Sequence, residues 1–275
     1  MIVVTGATGN VGRELVAALA AAGERVTAVS RTPREEAGPG LITWRRADLE
    51  EPETLESMVS GAESLFLLAT AAEPGDILRV ASAGGVRRIV LLSSQAAGTR
   101  PDAPASAHFR TFEEAARSSG MRWTILRPGG FDSNALWWRE SIRRNRTAAA
   151  PSADVGLPLV DPADIAGVAA AALRDGAHDG RTYHLTGPVP VSPREQATAI
   201  EHALGVPIRF LEQTRERARE EMLRFMPPAI VEGTLAILGT PSAAEVRVSP
   251  DVERVLGRPA HPFAEWARRN APVFM

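Results

Sequence analysis

Gly6, Gly9 and Gly12 recur at every third position in "VVTGATGNVG", between a β-branched run and a helical pattern. The first N–H groups of a helix lack partners within it, and the helix dipole favours negative charge there, so glycines in this place suit a pyrophosphate. Gly6 allows the tight turn, Gly9 a close approach of main chain to phosphate, and Gly12 close packing of helix on strand. Thr8 and Asn10 add side-chain hydrogen bonds, and Val11 belongs to the same loop. The spacing is GxxGxxG, which departs from the commonest dinucleotide fingerprint, GxGxxG. A glycine turn without a ligand is the competing reading.

About 20 residues further on, an acidic side chain would hold a bare ribose, whereas arginine suits a 2′-phosphate. The sequence there is "VSRTPRE", with Arg31 in the discriminating place and Arg34 to assist, so NADP(H) is expected in preference to NAD(H). A solvated arginine is the plainer alternative. Asp48 in "RRADLEE", with Leu49 beside it, stands where a carboxylate can accept from an adenine amino group; a helix N-cap explains it nearly as well.

Other chemistries are excluded by what is missing. The 275 residues contain no cysteine and no lysine, all 31 basic residues being arginine, and Tyr183 is the single tyrosine. Thiolate nucleophiles, disulfides and lysine Schiff bases are ruled out. Histidines 108, 178, 184, 202 and 261 lack metal-ligand spacing, so no metal is expected. A net charge of −2 without a basic stripe argues against nucleic acid, and no apolar run is long enough to span a bilayer. With no leader-like segment after Met1, the expected location is the cytoplasm, and the expected partner is a small planar molecule; a homo-oligomer stays open.

These residues must be held by a scaffold. "MIVVTG", "RVTAVS", "LITWRR", "SLFLLAT", "RRIVLLSS" and "RWTILRP" read as strands, with helical patterns between them within 10–62, at 74–84 and at 107–119. Near-continuous apolar strands alternating with helices predict an α/β fold, a Rossmann-type doubly wound parallel sheet. Beyond Pro128 the pattern changes to an arginine-rich helix ("WWRESIRRN"), a helix near 162–173, and "GRTYHLTGP", a strand returning toward the sheet. Further on come a helix opened by Ser192 and Pro193, the strand-like "PIRFLEQ" and a charged helix at 214–226. The expected division is 1–130 with 155–180 as the dinucleotide-binding domain, and 131–154 with 181–275 as a small C-terminal α/β substrate domain. "AGTRPDAPAS", 97–106, reads as a mobile loop.

"TGATGNVG", "SRTP", "ADL", "RRIVLLSS", "SGMRWTILRPGGFDSN" and "VLGRPAHPFAEWARRNAP" together resemble the NmrA-like family of atypical short-chain dehydrogenase/reductases over nearly the whole chain. That family includes quinone and azo-dye reductases and NADP-sensing regulators. The resemblance implies Ala69 and Thr70 against the ribose, Ser93 near the nicotinamide, and Pro128, Gly129 and Phe131 around the nicotinamide edge. The tyrosine and lysine of the wider superfamily's active site are absent, since Tyr183 comes too late and there is no lysine. In the matching region, "SAHFRTFEEAARSSG", many relatives carry a glutamate at the place of Phe112, here followed by Glu113 and Glu114.

Hydride transfer to a quinone survives that loss, because the product is a stabilised phenolate that water or a weak acid can protonate. His108 is the candidate proton or hydrogen-bond donor, against a capping or surface role. Ser94 and Gln95 are candidate substrate hydrogen-bonders. Phe131, Trp137 and Trp138 could offer a planar substrate a stacking wall, core packing being the alternative for at least one tryptophan. The expected function is an NADPH-dependent reductase of quinone-like or other planar conjugated acceptors, as in aromatic natural-product tailoring. The alternative is a non-catalytic NADP(H) sensor acting through a partner protein.

Overall fold

The sheet is built from runs of Val, Ile and Leu that are buried on both faces, a pattern only a sheet covered on both sides can satisfy. The computed structural model describes residues 1–34, 40–70 and 72–275. In chain order its elements are β1 (Ile2–Val4), α1 (Asn10–Ala21), β2 (Val26–Ser30), β3 (Ile42–Arg46), α2 (Glu56–Val59), β4 (Ser64–Leu68), α3 (Pro74–Ala83), β5 (Arg88–Leu92), α4 (Ala96–Thr99), α5 (Ala107–Ser118) and β6 (Arg122–Pro128). These are followed by α6 (Arg139–Asn145), β7 (Thr147–Ala150), α7 (Pro162–Arg174), β8 (Arg181–Leu185), α8 (Pro193–Leu204), β9 (Arg209–Glu212), α9 (Arg215–Met222), α10 (Pro228–Gly239), α11 (Asp251–Leu256) and α12 (Phe263–Asn270).

Seven parallel strands run in the order β3-β2-β1-β4-β5-β6-β8, and the order reverses between β1 and β4. This is a Rossmann-like α/β fold, with the crevice at the reversal opening at the carboxyl ends of the strands. Alternate side chains of the strands feed two cores. Val4, Ala28, Phe66, Leu126 and Leu185 pack under α1, α7 and α11, while Val3, Leu65, Leu91 and Ile125 pack under α2, α3 and α5. α7 is rich in alanine, which lets α1 approach it along its length.

A third core lies outside the sheet, where Ile142, Ala148, Ile200, Phe263, Trp266 and Phe274 join α6, α8 and α12. There β7 and β9 form a separate two-stranded parallel sheet. The expected start of α8 is present as a capping box: the Ser192 hydroxyl accepts the Glu195 N–H (3.3 Å) and the Glu195 carboxylate accepts the Ser192 N–H (2.8 Å).

Three expectations change. The domain boundary at 181 falls too early: residues 181–185 are the seventh strand of the main sheet, paired with β6, because Tyr183 and Leu185 bury their side chains in its first core. The segment 97–106 is not a free loop. It holds α4 and a 3-10 turn at Pro104–Ser106, and Arg100 ties it down through bonds of 2.7 and 2.8 Å to the fully buried Glu245. The charged helix expected at 214–226 ends at Met222, and the apolar α10 follows.

Candidate functional site

The glycine loop lies where β1 feeds α1. Gly6 has φ +61°, and a Cβ there would fall 2.2 Å from Leu68 Cδ1, so both conformation and space call for glycine. A Cβ on Gly12 would lie 2.1 Å from the Gly6 carbonyl oxygen and 2.8 Å from Ala7 Cα. The close approach at Gly12 is therefore between helix and turn, where helix against strand was expected. Gly9 is the N-cap of α1, with no side-chain cap and no acidic residue in the first turn. Its own N–H closes the turn on Gly6 (2.9 Å), and the N–H groups of Asn10, Val11 and Gly12 at the helix start have no backbone partner among the described residues.

A cleft of about 440 Å³ opens beside this turn, walled by the ends of β1, β2 and β3. Gly6, Thr8, Gly9, Arg31, Asp48, Leu49 and Thr70 all line it. Arg31 is exposed directly after β2. The Asp48 carboxylate accepts the Glu50 N–H (3.1 Å), a local turn and not the helix N-cap, which is Glu51. Arg34 stands over the Trp44 ring, 5.5 Å from its centroid, instead of lining the cleft.

Sequence reasoning missed Ser30. Its hydroxyl is buried on the cleft wall without a partner among the described residues, a position that favours a ligand able to bond it. The uncapped helix, the bare Gly9 and this orphaned hydroxyl fit a dinucleotide's polar groups.

Asn10 differs from expectation: its side-chain amide donates to the Ser133 hydroxyl (3.0 Å), linking α1 to the chain that leaves the sheet. Thr70 accepts the Ala72 N–H (3.2 Å), and Ala69 packs on the second core with its N–H on the Leu92 carbonyl (3.3 Å), away from the cleft lining. The Ser93 hydroxyl is buried and donates to Glu113 at 2.7 Å. That bond holds it inside the protein, although it was expected near the nicotinamide.

Glu113 is the hub of a buried network, taking Arg127 Nε and Nη2 at 2.8 and 2.7 Å and Arg117 at 2.9 Å. Burial alone would raise its pKa, but the bonds from Arg127 and Ser93 hold it below its ordinary value. Phe112, by contrast, is core.

Past β6, "PGGF" crosses the strand ends. The Gln95 N–H donates to the Pro128 carbonyl and the Gly129 N–H to Leu185, both at 2.9 Å. The Ser94 hydroxyl accepts the Ala96 N–H (3.2 Å). Gln95 is buried, and its Oε1 lies 3.5 Å from where a Cβ on Gly129 would stand.

The three aromatic residues expected as a wall are dispersed. Phe131 packs on the first core, and Trp138 gives its indole N–H to the Ala149 carbonyl (2.8 Å) and sets its ring against Phe210. A buried indole needs such an acceptor, and β7 supplies it. Only Trp137 is exposed, edge to face with Phe225, which the sequence did not single out.

His108 is half-buried near the start of α5, its ring 3.8 Å from that of Phe109, and burial pushes its pKa below the ordinary imidazole value. At neutral pH it is an uncharged hydrogen-bonding group. Tyr183 keeps its ring in the core and its hydroxyl 2.8 Å from His178 Nδ1.

Asp132 was also missed. It is fully buried, both carboxylate oxygens lack partners among the described residues, and its pKa is raised to about 8, by desolvation first and then by Asp161 and Asp164 against the opposing pull of Arg269. Among the described residues no group of acidic or histidine side chains could hold a metal, and no helix is long and apolar enough to cross a membrane.

A family model described as NAD(P)H-binding matches residues 6–176. A (4-alkanoyl-5-oxo-2,5-dihydrofuran-3-yl)methyl phosphate reductase of Streptomyces griseus is 37% identical over all of this chain and 99% of its own. An NAD(P)H azoreductase of Xenophilus azovorans is 31% identical with the same coverage. Among solved structures, an NADPH-dependent quinone oxidoreductase of Escherichia coli in complex with NADPH superposes with a TM-score of 0.77 (21% identity, 98% of this chain, 99% of the other). The transcriptional regulator NmrA in complex with NADP does so with a TM-score of 0.75 (18% identity, 99% and 95%). With its glycine turn, its strand order and these kinships, the chain belongs to the NAD(P)H-binding family, and its fold is shared with the quinone oxidoreductase and with NmrA.

Proposed function

We propose that the protein is an NADPH-dependent reductase that transfers hydride to a quinone-like or other planar conjugated acceptor. The observation that carries this reading is the cleft at the carboxyl ends of β1, β2 and β4, lined by the glycine turn before an uncapped helix start and by Arg31 after β2. The reductase names of two full-length relatives support it. NADPH, when bound, supplies the hydride.

The chain's own part is to bind and orient. The N–H groups of Asn10, Val11 and Gly12 would hold the pyrophosphate, Arg31 the 2′-phosphate, and the Pro128–Phe131 loop the nicotinamide edge. Asp48, Leu49 and Thr70, which line the same cleft, would complete the nucleotide side. On the acceptor side His108, its pKa lowered by burial, would offer an N–H bond to a developing oxyanion, with Gln95 and Ser94 as candidate substrate hydrogen-bonders. A quinone's phenolate takes its proton from water, so no strong acid is required of the protein. Positioning then supplies most of the rate. Trp137 and Phe225 offer an exposed aromatic pair on which a flat acceptor could stack.

The test follows NADPH absorbance with a panel of quinones, azo dyes and enones, using NADH in parallel. Turnover of at least one planar acceptor is expected, faster with NADPH than with NADH, and Arg31→Asp should abolish or reverse that preference. Tight NADPH binding without turnover of any acceptor would replace this reading by a non-catalytic sensor.

A further inference from the structure

A second cleft, of about 420 Å³, lies beyond the C-terminal ends of β6 and β8, between α4 and residues 244–250. Its floor holds Arg127 and His184, which stand opposite each other in the β6–β8 register. Arg127 uses Nε and Nη2 on Glu113, leaving Nη1 toward the cleft. A Cβ on Gly98 would fall 2.6 Å from that Nη1 and 3.9 Å from His184 Cε1, so the missing side chain at 98 keeps the floor open.

The outer wall contributes Arg247, exposed and without a carboxylate partner among the described residues. Its neighbours Arg100 and Arg254 are, in contrast, paired with Glu245 and Asp251. Among the described residues two guanidinium groups thus line the cleft and no carboxylate does. Gln95 lines it too, at the end where its amide approaches Gly129. The cleft therefore has an unneutralised arginine at its outer wall, hydrogen-bond donors at its floor, and in Gln95 a side chain shared with the neighbourhood of Gly129.

We propose that this cleft is a subsite for an anionic group, of the phosphate or sulfonate kind, carried by the acceptor whose reducible end lies at Gly129. Guanidinium groups bind such tetrahedral anions through charge-assisted hydrogen bonds, and an arginine with no internal partner gives up none to do so. His184 adds a neutral ring donor, since burial and the nearby Arg127 lower its pKa. The inference rests on the reductase reading, and the site is separate from the one proposed for the cofactor's 2′-phosphate at Arg31.

The experiment compares 1,4-naphthoquinone with 1,4-naphthoquinone-2-sulfonate in the wild type, Arg247→Glu and Gly98→Val. Differences in intrinsic reactivity between the two quinones cancel when their kcat/KM ratio is compared across proteins. The ratio of sulfonate to neutral quinone should fall at least tenfold in each variant, and inorganic phosphate should raise the KM of the sulfonate in the wild type. An unchanged ratio in both variants overturns the subsite while leaving the reductase reading in place. If neither quinone is turned over, the reductase reading fails, and inorganic phosphate is then titrated calorimetrically into the NADP-loaded protein. Binding that Arg247→Glu abolishes preserves an anion site, and no binding ends it. Phosphate that binds without affecting sulfonate turnover overturns the acceptor assignment in favour of a site for free anion.

Discussion

Asp132 sets the sharpest problem at the scale of single residues. A fully buried carboxyl with two unpartnered oxygens is tolerable only in its neutral form, and its pKa stands at about 8, far above that of an exposed aspartate. Folding therefore takes up a proton at neutral pH. The stabilising contribution of the neutral acid is complete below about pH 4 and is lost as pH rises toward about 8, at roughly 1.4 kcal/mol per pH unit. Asp132→Asn keeps the shape and removes the titration. Denaturant midpoints of the two proteins should diverge in favour of the variant between pH 5 and 8 and run parallel above; parallel curves throughout would refute a neutral Asp132. Neither this residue nor the orphaned Ser30 was legible beforehand, because a carboxyl after "GGF" and a serine ending a strand carry no periodic signal. Arg31 and the three glycines were legible because their positions follow from the strand–turn–helix order itself.

At the scale of elements, α1 does two separable jobs. Its buried Val11, Leu15, Val16 and Leu19 anchor it to the first core, while its start is left uncapped. Gly12 belongs to the first job and Gly9 to the second. A methyl at 12 would collide with the Gly6 carbonyl at 2.1 Å, whereas at 9 the nearest contact is 3.2 Å and the backbone angles are ordinary. Gly12→Ala should thus lower stability by about 1–3 kcal/mol, as overpacking does. Gly9→Val should keep the wild-type circular-dichroism spectrum and melting temperature but lose calorimetric NADPH binding, its side chain filling the phosphate's place. Normal affinity in Gly9→Val would mean that the glycines serve only the turn.

The elements the sequence revealed were those with strong periodicity or capping chemistry: the strands of the main sheet, α5, α7 and the capping box of α8. β7 was hidden because "TAAA" has no strand composition, and it exists only by pairing with β9. α10 was hidden for the opposite reason, being apolar nearly all round and so without a face to detect.

For the whole molecule, the question is how the sheet and the third core communicate. The chain passes between them at 128–160, with Phe131 bridged to Val160 and Leu157 to Val191. Asn10 on α1 holds Ser133 directly across that passage. A dinucleotide on the α1 start would then order both sides of the crevice at once. A ligand at 100 times its Kd stabilises the folded state by about 2.7 kcal/mol, which for a chain of this size corresponds to a rise of roughly 5–10 °C in melting temperature. Hydrogen exchange should show where that stabilisation resides. With NADPH, protection should rise at residues 6–13 and also at 131–138, while β7 and β9, which lie away from the crevice, should change little. In Asn10→Ala the first segment should still respond and the second should respond less, because the bond that carries the constraint across is gone. Equal protection of 131–138 in both proteins would show that the cofactor orders that segment by direct contact, with Asn10 contributing nothing to the coupling.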